Sequence, residues 1–226
     1  MLKRLALLAA LVAWPARAHA FDWIGKIDLA ADGLKSDDPE VRVEAVRKLG
    51  KSEIAWAKKY LLKALRDKDA RVRAAAGRVL ARGKVTEAVP EVMSWLAGAD
   101  KDLQQAAAEI LGELGDPRAV PALVRSISDQ DPLVRVRVVT ALGRIGGGKV
   151  VVPLVNRLDD EKAEVRQAAV EQLMNVGDRR AVIPLVGCST TPRWTYATPR
   201  SWQSAGSAIA PRCPRSCACC ATPTSR

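Results

Sequence analysis

The side chains best suited to metal binding or nucleophilic catalysis lie near the two ends of the chain. The single histidine is His19, and all five cysteines follow residue 187. Structural zinc sites usually pair two Cys-x-x-Cys units or combine cysteine with histidine. The closely spaced cysteines lack both features, and they are Cys213, Cys217, Cys219 and Cys220. We therefore predict no metal site, no cofactor and no catalytic residue.

The charge of the chain is also concentrated near its ends. The net charge is +11, but three basic residues lie in 1–20 and five in 187–226, where no acidic residue occurs. The body between them has 28 basic and 25 acidic residues, a net charge of +3. Nucleic-acid binding requires clustered lysine and arginine, so the nearly neutral body argues against it.

The element that positions the body's side chains is a gapless repeat of 31 residues. Its first apolar position, the keystone, is occupied by Val41, Val72, Leu103, Val134 and Val165. Eight residues later stand Leu49, Leu80, Leu111, Leu142 and Leu173. Twenty residues after the keystone stand Leu61, Val92, Leu123, Leu154 and Leu185. A fixed period of this length predicts a stacked-repeat solenoid.

Each unit predicts two helices. The first begins at an aspartate that can cap exposed N–H groups, namely Asp38, Asp69, Asp100 or Asp131. Apolar residues follow at helical spacing, as in Val134, Val138 and Leu142. Early prolines such as Pro121 are tolerated in the first turn of the second helix. We predict an all-α fold, an α-solenoid of stacked antiparallel helix pairs.

The repeat unit resembles a known family. Residues 131–143, Asp-Pro-Leu-Val-Arg-Val-Arg-Val-Val-Thr-Ala-Leu-Gly, and the segment 115–121, Gly-Asp-Pro-Arg-Ala-Val-Pro, are similar to HEAT repeats. The 31-residue spacing is similar to the short HEAT-like repeats of bilin lyases, and the resemblance covers five units over 37–186. It implies protein–protein binding and a buried polar ladder between units. The implied ladder residues are Asp38, Asp69, Asp100, Asp131, Arg42, Arg73, Arg135 and Arg166, a series that Gln104 interrupts.

The second helices offer solvent-facing positions for a partner. One row holds Trp56, Glu87, Arg118, Lys149 and Arg180, and another holds Lys63, Ser94, Arg125 and Asn156. Trp95 is predicted as an exposed aromatic anchor. The cations in the later units favour an acidic protein partner on the predicted concave face, although an ordinary solvated face has the same composition.

The first 36 residues predict export and a cap. Residues 1–20 combine an early basic pair, a short apolar run and the ending Ala18-His19-Ala20, a layout typical of a signal peptide cleaved after Ala20. An uncleaved anchor is the alternative, but the apolar run is about half of the roughly 20 residues that a membrane span requires. We expect a periplasmic or secreted protein without a stable membrane span. Residues 21–36 are predicted to be a half-repeat cap.

The repeat pattern ends before residue 187. Residues 187–226 can be interpreted as a disordered or cysteine-rich tail, or as a sixth repeat translated out of frame. In the shifted frame Trp194-Thr195 encodes Asp, Cys219-Cys220 encodes Leu, and the keystone codon falls at Tyr196, which is 31 residues after Val165. We hypothesise a one-nucleotide shift near Val186. Sequencing of the source DNA across codons 180–190 tests this hypothesis.

Three functions are compatible with such a solenoid. A non-catalytic exported scaffold that binds a protein partner agrees best with the predicted signal peptide and with the lack of Cys and His in the body. A bilin-lyase-like enzyme subunit is the first alternative, although such lyases work in the cytoplasm. A nucleic-acid-binding HEAT-like protein is the second, and a steep salt dependence of DNA binding would support it.

Overall fold

The computed structural model describes Gly25, residues 27–182 and Leu185. Each unit contains a longer first helix, the A helix, and a second helix, the B helix. The A helices are α1 (Pro39–Leu49), α3 (Ala70–Arg82), α5 (Lys101–Leu114), α7 (Pro132–Ile145) and α9 (Ala163–Val176). The B helices are α2 (Ile54–Ala64), α4 (Val89–Trp95), α6 (Val120–Ser126) and α8 (Val151–Val155). No strand occurs within these residues, so the all-α prediction is confirmed.

Short 3₁₀ turns lead into several helices. They comprise Gly33–Lys35, Thr86–Ala88, Pro117–Ala119 and Arg179–Ala181. At the other end of the A helices, Gly115 and Gly177 adopt φ values of 71° and 64°. This left-handed conformation suits glycine and ends α5 and α9, so the chain can reverse direction toward the next B helix.

Aspartate side chains begin most of the A helices. The side chains of Asp38, Asp69 and Asp131 accept a hydrogen bond from the backbone N–H two residues later, and Asp100 accepts one from Leu103. These contacts satisfy N–H groups that have no partner within the helix. The helix starts that the sequence predicted are therefore present in the first four units.

The repeated apolar residues form one continuous core. The leucine after each keystone is almost fully buried, from Leu49 at 0% exposure to Leu173 at 1%. The keystone residues are also buried, with one exception. Val41 is 45% exposed, whereas Val72 is 0% exposed. Val41 belongs to the first full unit, where no complete preceding A helix covers it. A repeat pattern gives equivalent positions but does not include this end effect.

Successive A helices approach each other closely. A Cβ atom added to Gly112 would lie 2.8 Å from the Cα of Ala141 on the next A helix. That separation is shorter than any normal carbon–carbon contact, so a side chain here would push α5 and α7 apart. Small residues at the contact therefore set the distance between units.

The described part of the predicted N-terminal cap is helical over residues 27–32. Ile27 and Ala30 join the core of the first unit, and the hydroxyl of Tyr60 on α2 donates to Asp28 at 3.0 Å. The predicted signal peptide, the first residues of the cap and the tail over 187–226 lie outside the described residues. No helix in the described part of the chain is both long and apolar enough to cross a bilayer.

Candidate protein-binding surface

In the first and fourth units, the arginine that follows the keystone binds the loop before its own helix and also an aspartate of the next loop. Arg135 donates to the carbonyls of Asp129 and Gln130 at 2.8 and 3.1 Å, and its Nε and Nη2 donate to Asp160 at 3.0 and 2.9 Å. Its side chain is only 6% exposed and that of Asp160 is 3% exposed. Burial opposes ionisation of Asp160, but the hydrogen bonds from Arg135 hold its pKa below the ordinary value.

Arg42 repeats this arrangement in the first unit of the solenoid. It donates to the carbonyls of Ser36 and Asp37 at 2.9 Å and to both carboxylate oxygens of Asp67 at 2.9 Å. The sequence-based expectation for the ladder was wrong about the carboxylates. Asp38, Asp69, Asp100 and Asp131 cap A helices, whereas Arg42 and Arg135 reach Asp67 and Asp160, which stand two residues before the N-cap of the next A helix.

The ladder is interrupted in the middle of the solenoid. Arg73 donates to the carbonyls of Asp67 and Lys68 at 2.7 and 3.2 Å, but Gly98 stands where the next unit's carboxylate would be. Within the described residues Arg73 therefore makes no ion pair. In the following unit Gln104 replaces the arginine, and Lys101 supplies the cation for Asp129 at 2.8 and 2.9 Å. Arg166 keeps the contacts with its own loop, donating to the carbonyl of Asp160 at 2.8 Å.

Seven of the eight side chains predicted to bind a partner lie on the surface. They are Trp56, Lys63, Arg118, Arg125, Lys149, Asn156 and Arg180. Trp95 is the exception and the prediction that it is exposed was wrong, because only 6% of its surface is accessible. Its ring lies over Gly77 on α3, where an added Cβ would be 3.4 Å from the indole. The Cδ1 of Ile110 on α5 is closer, at 2.6 Å from the same Cβ position, so both side chains pack against the bare backbone of Gly77.

Two of these surface arginines are also structural. Arg118 Nη2 lies 2.6 Å from Asp116 and donates to the carbonyl of Thr86 in the preceding unit at 3.4 Å. Arg180 pairs with Asp178 at 2.7 Å and donates to the carbonyl of Gly148 at 2.9 Å. The hydrogen bond from Arg180 lowers the pKa of Asp178 to about 2. Each arginine is thus held in one orientation with most of its charge compensated.

An exposed apolar row lies between the two predicted rows. Pro90, Pro121 and Val152 are exposed, Val152 by 59%, and they stand 31 residues apart on successive B helices. Each of them has a residue of one predicted row three positions earlier and a residue of the other row four positions later. These spacings place the apolar residue and its two neighbours on one side of a helix, and the neighbours are here called the rims. Pro90, Pro121 and Val152 are here called the apolar strip. Sequence reasoning missed it because prolines at these positions were explained by helix initiation alone.

The rims of the apolar strip are cationic in units three and four. Arg118 and Arg125 flank Pro121, and Lys149 and Asn156 flank Val152, whereas Glu87 and Ser94 flank Pro90 in unit two. No acidic residue occurs in 117–128 or 147–158. Opposite charges pair between units on both exposed sides, as in Arg78 and Glu109 at 3.6 Å on the A helices and Lys58 and Glu87 beside the B helices. Among the rim cations, Arg125 and Lys149 make no ion pair or hydrogen bond with another described residue, so these two do not join units.

A polar depression lies at the C-terminal end of the strip, between units four and five. It is about 280 Å³ in volume and is lined by Asn156, Arg157, Asp159 and the ladder residues Arg135 and Asp160, with Ser128, Asp129 and Glu161 at its edge. Arg135 and Asp160, which lie in this depression, are already paired with each other in the ladder. Among the residues that the structure describes, no group of three or more His, Cys, Asp or Glu could hold a metal ion.

Comparison with known proteins agrees with this architecture. The HEAT-repeat family matches four overlapping segments, residues 27–97, 59–132, 89–162 and 127–198. No curated protein sequence matches the chain. A solved structure of the CpcE and CpcF complex of phycocyanin lyase from Nostoc sp. PCC7120 is similar, at 26% identity and a TM-score of 0.59. The alignment covers 70% of this chain and 66% of that chain, slightly less than two thirds of the lyase chain.

Designed repeat proteins share the fold as well. A designed armadillo repeat protein is 19% identical over 72% of this chain and 88% of its own, with a TM-score of 0.52. Another, in complex with the peptide (KR)4, is 19% identical over 79% of this chain and 95% of its own, with a TM-score of 0.54. At this level of identity the likeness shows the solenoid fold alone.

Proposed function

Because the chain belongs to the HEAT-repeat family, we propose that it is a non-catalytic scaffold that binds a protein partner on the exposed side of its B helices. The observation that carries this proposal is the apolar strip, since its rims contain cations that no contact between units uses. A repeated apolar row with polar edges is the usual anatomy of a protein-binding surface. In a superhelix, the same row would extend along the predicted concave face.

The ionisable groups of the body support a structural rather than a catalytic role. Asp69, Asp116, Asp160 and Asp178 all have lowered pKa values, and each accepts hydrogen bonds from an arginine. Catalytic acids and bases usually have pKa values shifted toward neutrality instead. The lowered values follow from helix capping and from the ladder.

We also propose that the scaffold acts outside the cytoplasm, in the periplasm or as a secreted protein. The layout of residues 1–20 supports cleavage after Ala20. Amino-terminal sequencing of the protein isolated from its source is expected to begin at Phe21. An amino terminus at Met1 in the mature protein would contradict export by this route.

Site-directed photocrosslinking tests partner binding. A photoreactive phenylalanine at position 121 on α6 is compared with one at position 137 on the exposed side of α7, each in the full-length chain within its source cells. We expect discrete adducts with another protein at position 121 and few or none at position 137. Adducts at both positions in equal yield, or at neither, would refute a protein-binding role for the B-helix side.

The likeness to the phycocyanin lyase structure makes an enzyme subunit the alternative function. Incubation with apo-phycocyanin and its bilin would show covalent pigment transfer if this alternative were correct. The scaffold proposal predicts no transfer above that seen without the protein. A nucleic-acid-binding function is tested by the salt dependence of DNA affinity, which should be shallow for a nearly neutral body.

A further inference from the structure

We infer that the apolar strip and its cationic rims bind an extended, acidic segment of the partner protein. This inference rests on the proposed scaffold function and specifies the chemistry of the partner. It commits to one occupant, a polypeptide in extended conformation that crosses the B helices of successive units. Glutamate or aspartate side chains contact the cationic rims of units three and four, and apolar side chains contact Pro90, Pro121 and Val152.

The repeat geometry favours an extended segment. Packed helices lie about 8–10 Å apart, and an extended chain advances about 3.3 Å per residue. About three residues of the segment therefore cross each unit. In the polyproline II form of an extended chain, which has about three residues per turn and a rise of about 3.1 Å, every third side chain lies on the same side and can meet the strip. The two residues between successive apolar contacts then lie over the rims.

The distribution of charge favours an acidic segment. Arg125 and Lys149 are exposed and make no ion pair or hydrogen bond with any other described residue. Arg118 adds donor groups in a fixed orientation because Asp116 holds its guanidinium at 2.6 Å. Carboxylates that bind such a surface are steered to it and lose little hydration at an exposed rim.

The same features disfavour the other occupants. A second copy of this chain would place cationic rims against cationic rims if the two strips met. A nucleic acid would gain few phosphate contacts, because the centre of the surface is apolar and phosphate binding requires clustered cations. An acidic segment with interspersed apolar residues matches both the centre and the rims.

Peptide binding to the full-length chain under reducing conditions tests the inference. The probes are two fluorescein-labelled peptides of twelve residues, one repeating Glu-Leu-Glu and the other repeating Lys-Leu-Lys, and fluorescence anisotropy measures their dissociation constants. We expect the acidic peptide to bind at least about tenfold more tightly than the basic one at physiological salt. Equal affinities, or tighter binding of the basic peptide, would overturn the inference.

A matched pair of charge-reversal variants locates the binding site. Arg125→Glu with Lys149→Glu reverses two rim cations, and Arg137→Glu with Arg144→Glu reverses two exposed A-helix cations with the same change in net charge. The rim variant should bind the acidic peptide at least about tenfold more weakly, whereas the control should change less than about threefold because distant charges are screened. Similar losses in both variants would overturn the assignment. Circular dichroism confirms that each variant is folded.

Two further outcomes separate this inference from the scaffold proposal. Protein adducts at position 121 together with no preference for the acidic peptide would leave the scaffold function intact and overturn the acidic segment. Tighter binding of a single-stranded oligothymidylate than of the acidic peptide, with loss in the rim variant, would assign the surface to nucleic acid and overturn the inference. Position 121 without adducts would overturn the scaffold proposal itself.

Discussion

Restoring the missing carboxylate at Gly98 should strengthen the junction between units two and three. The equivalent aspartates, Asp67, Asp129 and Asp160, each accept the backbone N–H two residues later at 2.9 to 3.0 Å. In Gly98→Asp the new carboxylate can accept the N–H of residue 100 and a hydrogen bond from Arg73. Space is available, since a Cβ at position 98 meets only the carbonyl oxygen of residue 95 at 3.3 Å.

The expected gain can be worked from these contacts. Loss of the glycine's freedom in the unfolded chain contributes about 0.5–1 kcal/mol. The cap hydrogen bond and the pairing with half-buried Arg73 contribute about 1 kcal/mol each. Desolvation and ordering of the new side chain cost about 1 kcal/mol. Gly98→Asp should therefore raise the free energy of unfolding by about 1.5–2 kcal/mol, and Gly98→Ala by about 0.5–1 kcal/mol.

Urea unfolding followed by circular dichroism measures both variants, and hydrogen exchange reports whether α3 and α5 gain protection. A double-mutant cycle with Arg73→Met isolates the new pair, with an expected coupling of about 1 kcal/mol. A gain for Gly98→Asp no larger than that for Gly98→Ala would refute the reasoning. The reasoning would also be refuted if Gly98→Asp stabilised the Arg73→Met variant by as much as it stabilises the wild type.

The remaining predictions concern the intact ladder and the tryptophans. Arg135→Ala should destabilise the fold by about 3 kcal/mol in urea unfolding, because Asp160 is left buried without its partner, whereas Arg78→Ala should change stability by less than about 0.5 kcal/mol. The pKa of Asp160 is lowered on folding, so the ionised carboxylate contributes to stability above its pKa in the unfolded chain, which is near 3.9. This contribution is lost as the pH falls from there toward the folded pKa. The stability difference between the wild type and Arg135→Met should therefore narrow below about pH 4, and a constant difference from pH 7 to pH 3 would contradict this. Trp95→Ala should cost about 3 kcal/mol or more, but Trp56→Ala, at a site 61% exposed, less than about 0.5 kcal/mol; similar losses at the two tryptophans would contradict their different burial.

The fold could be predicted from the sequence because one period governs helix starts, core positions and turns together. Val134, Leu142 and Leu154 are all 0% exposed, as their places in the repeat require. The end of the array could not be predicted in the same way. Val41 occupies an equivalent position but lacks a complete preceding unit, so its exposure depends on its place in the array rather than on the repeat pattern.

The candidate site was only partly predictable, because side-chain direction depends on neighbouring helices. Trp95 stands one residue after an exposed position, and it is buried with its ring against Gly77 on another helix, a contact that the sequence pattern does not indicate. The ladder has two aspartates within three residues, Asp67 and Asp69, and only the folded loop shows which one faces Arg42. In both cases the sequence indicated the residue types, and contacts between units decided their roles.

The most direct test of the scaffold account is hydrogen exchange of the full-length chain with and without the protein that is crosslinked at position 121. The account predicts slower amide exchange in the B helices α4, α6 and α8 in the complex, with smaller changes on the exposed side of α3, α5 and α7. Protection confined to the A helices, or no change in any repeat, would contradict partner binding on the B-helix side.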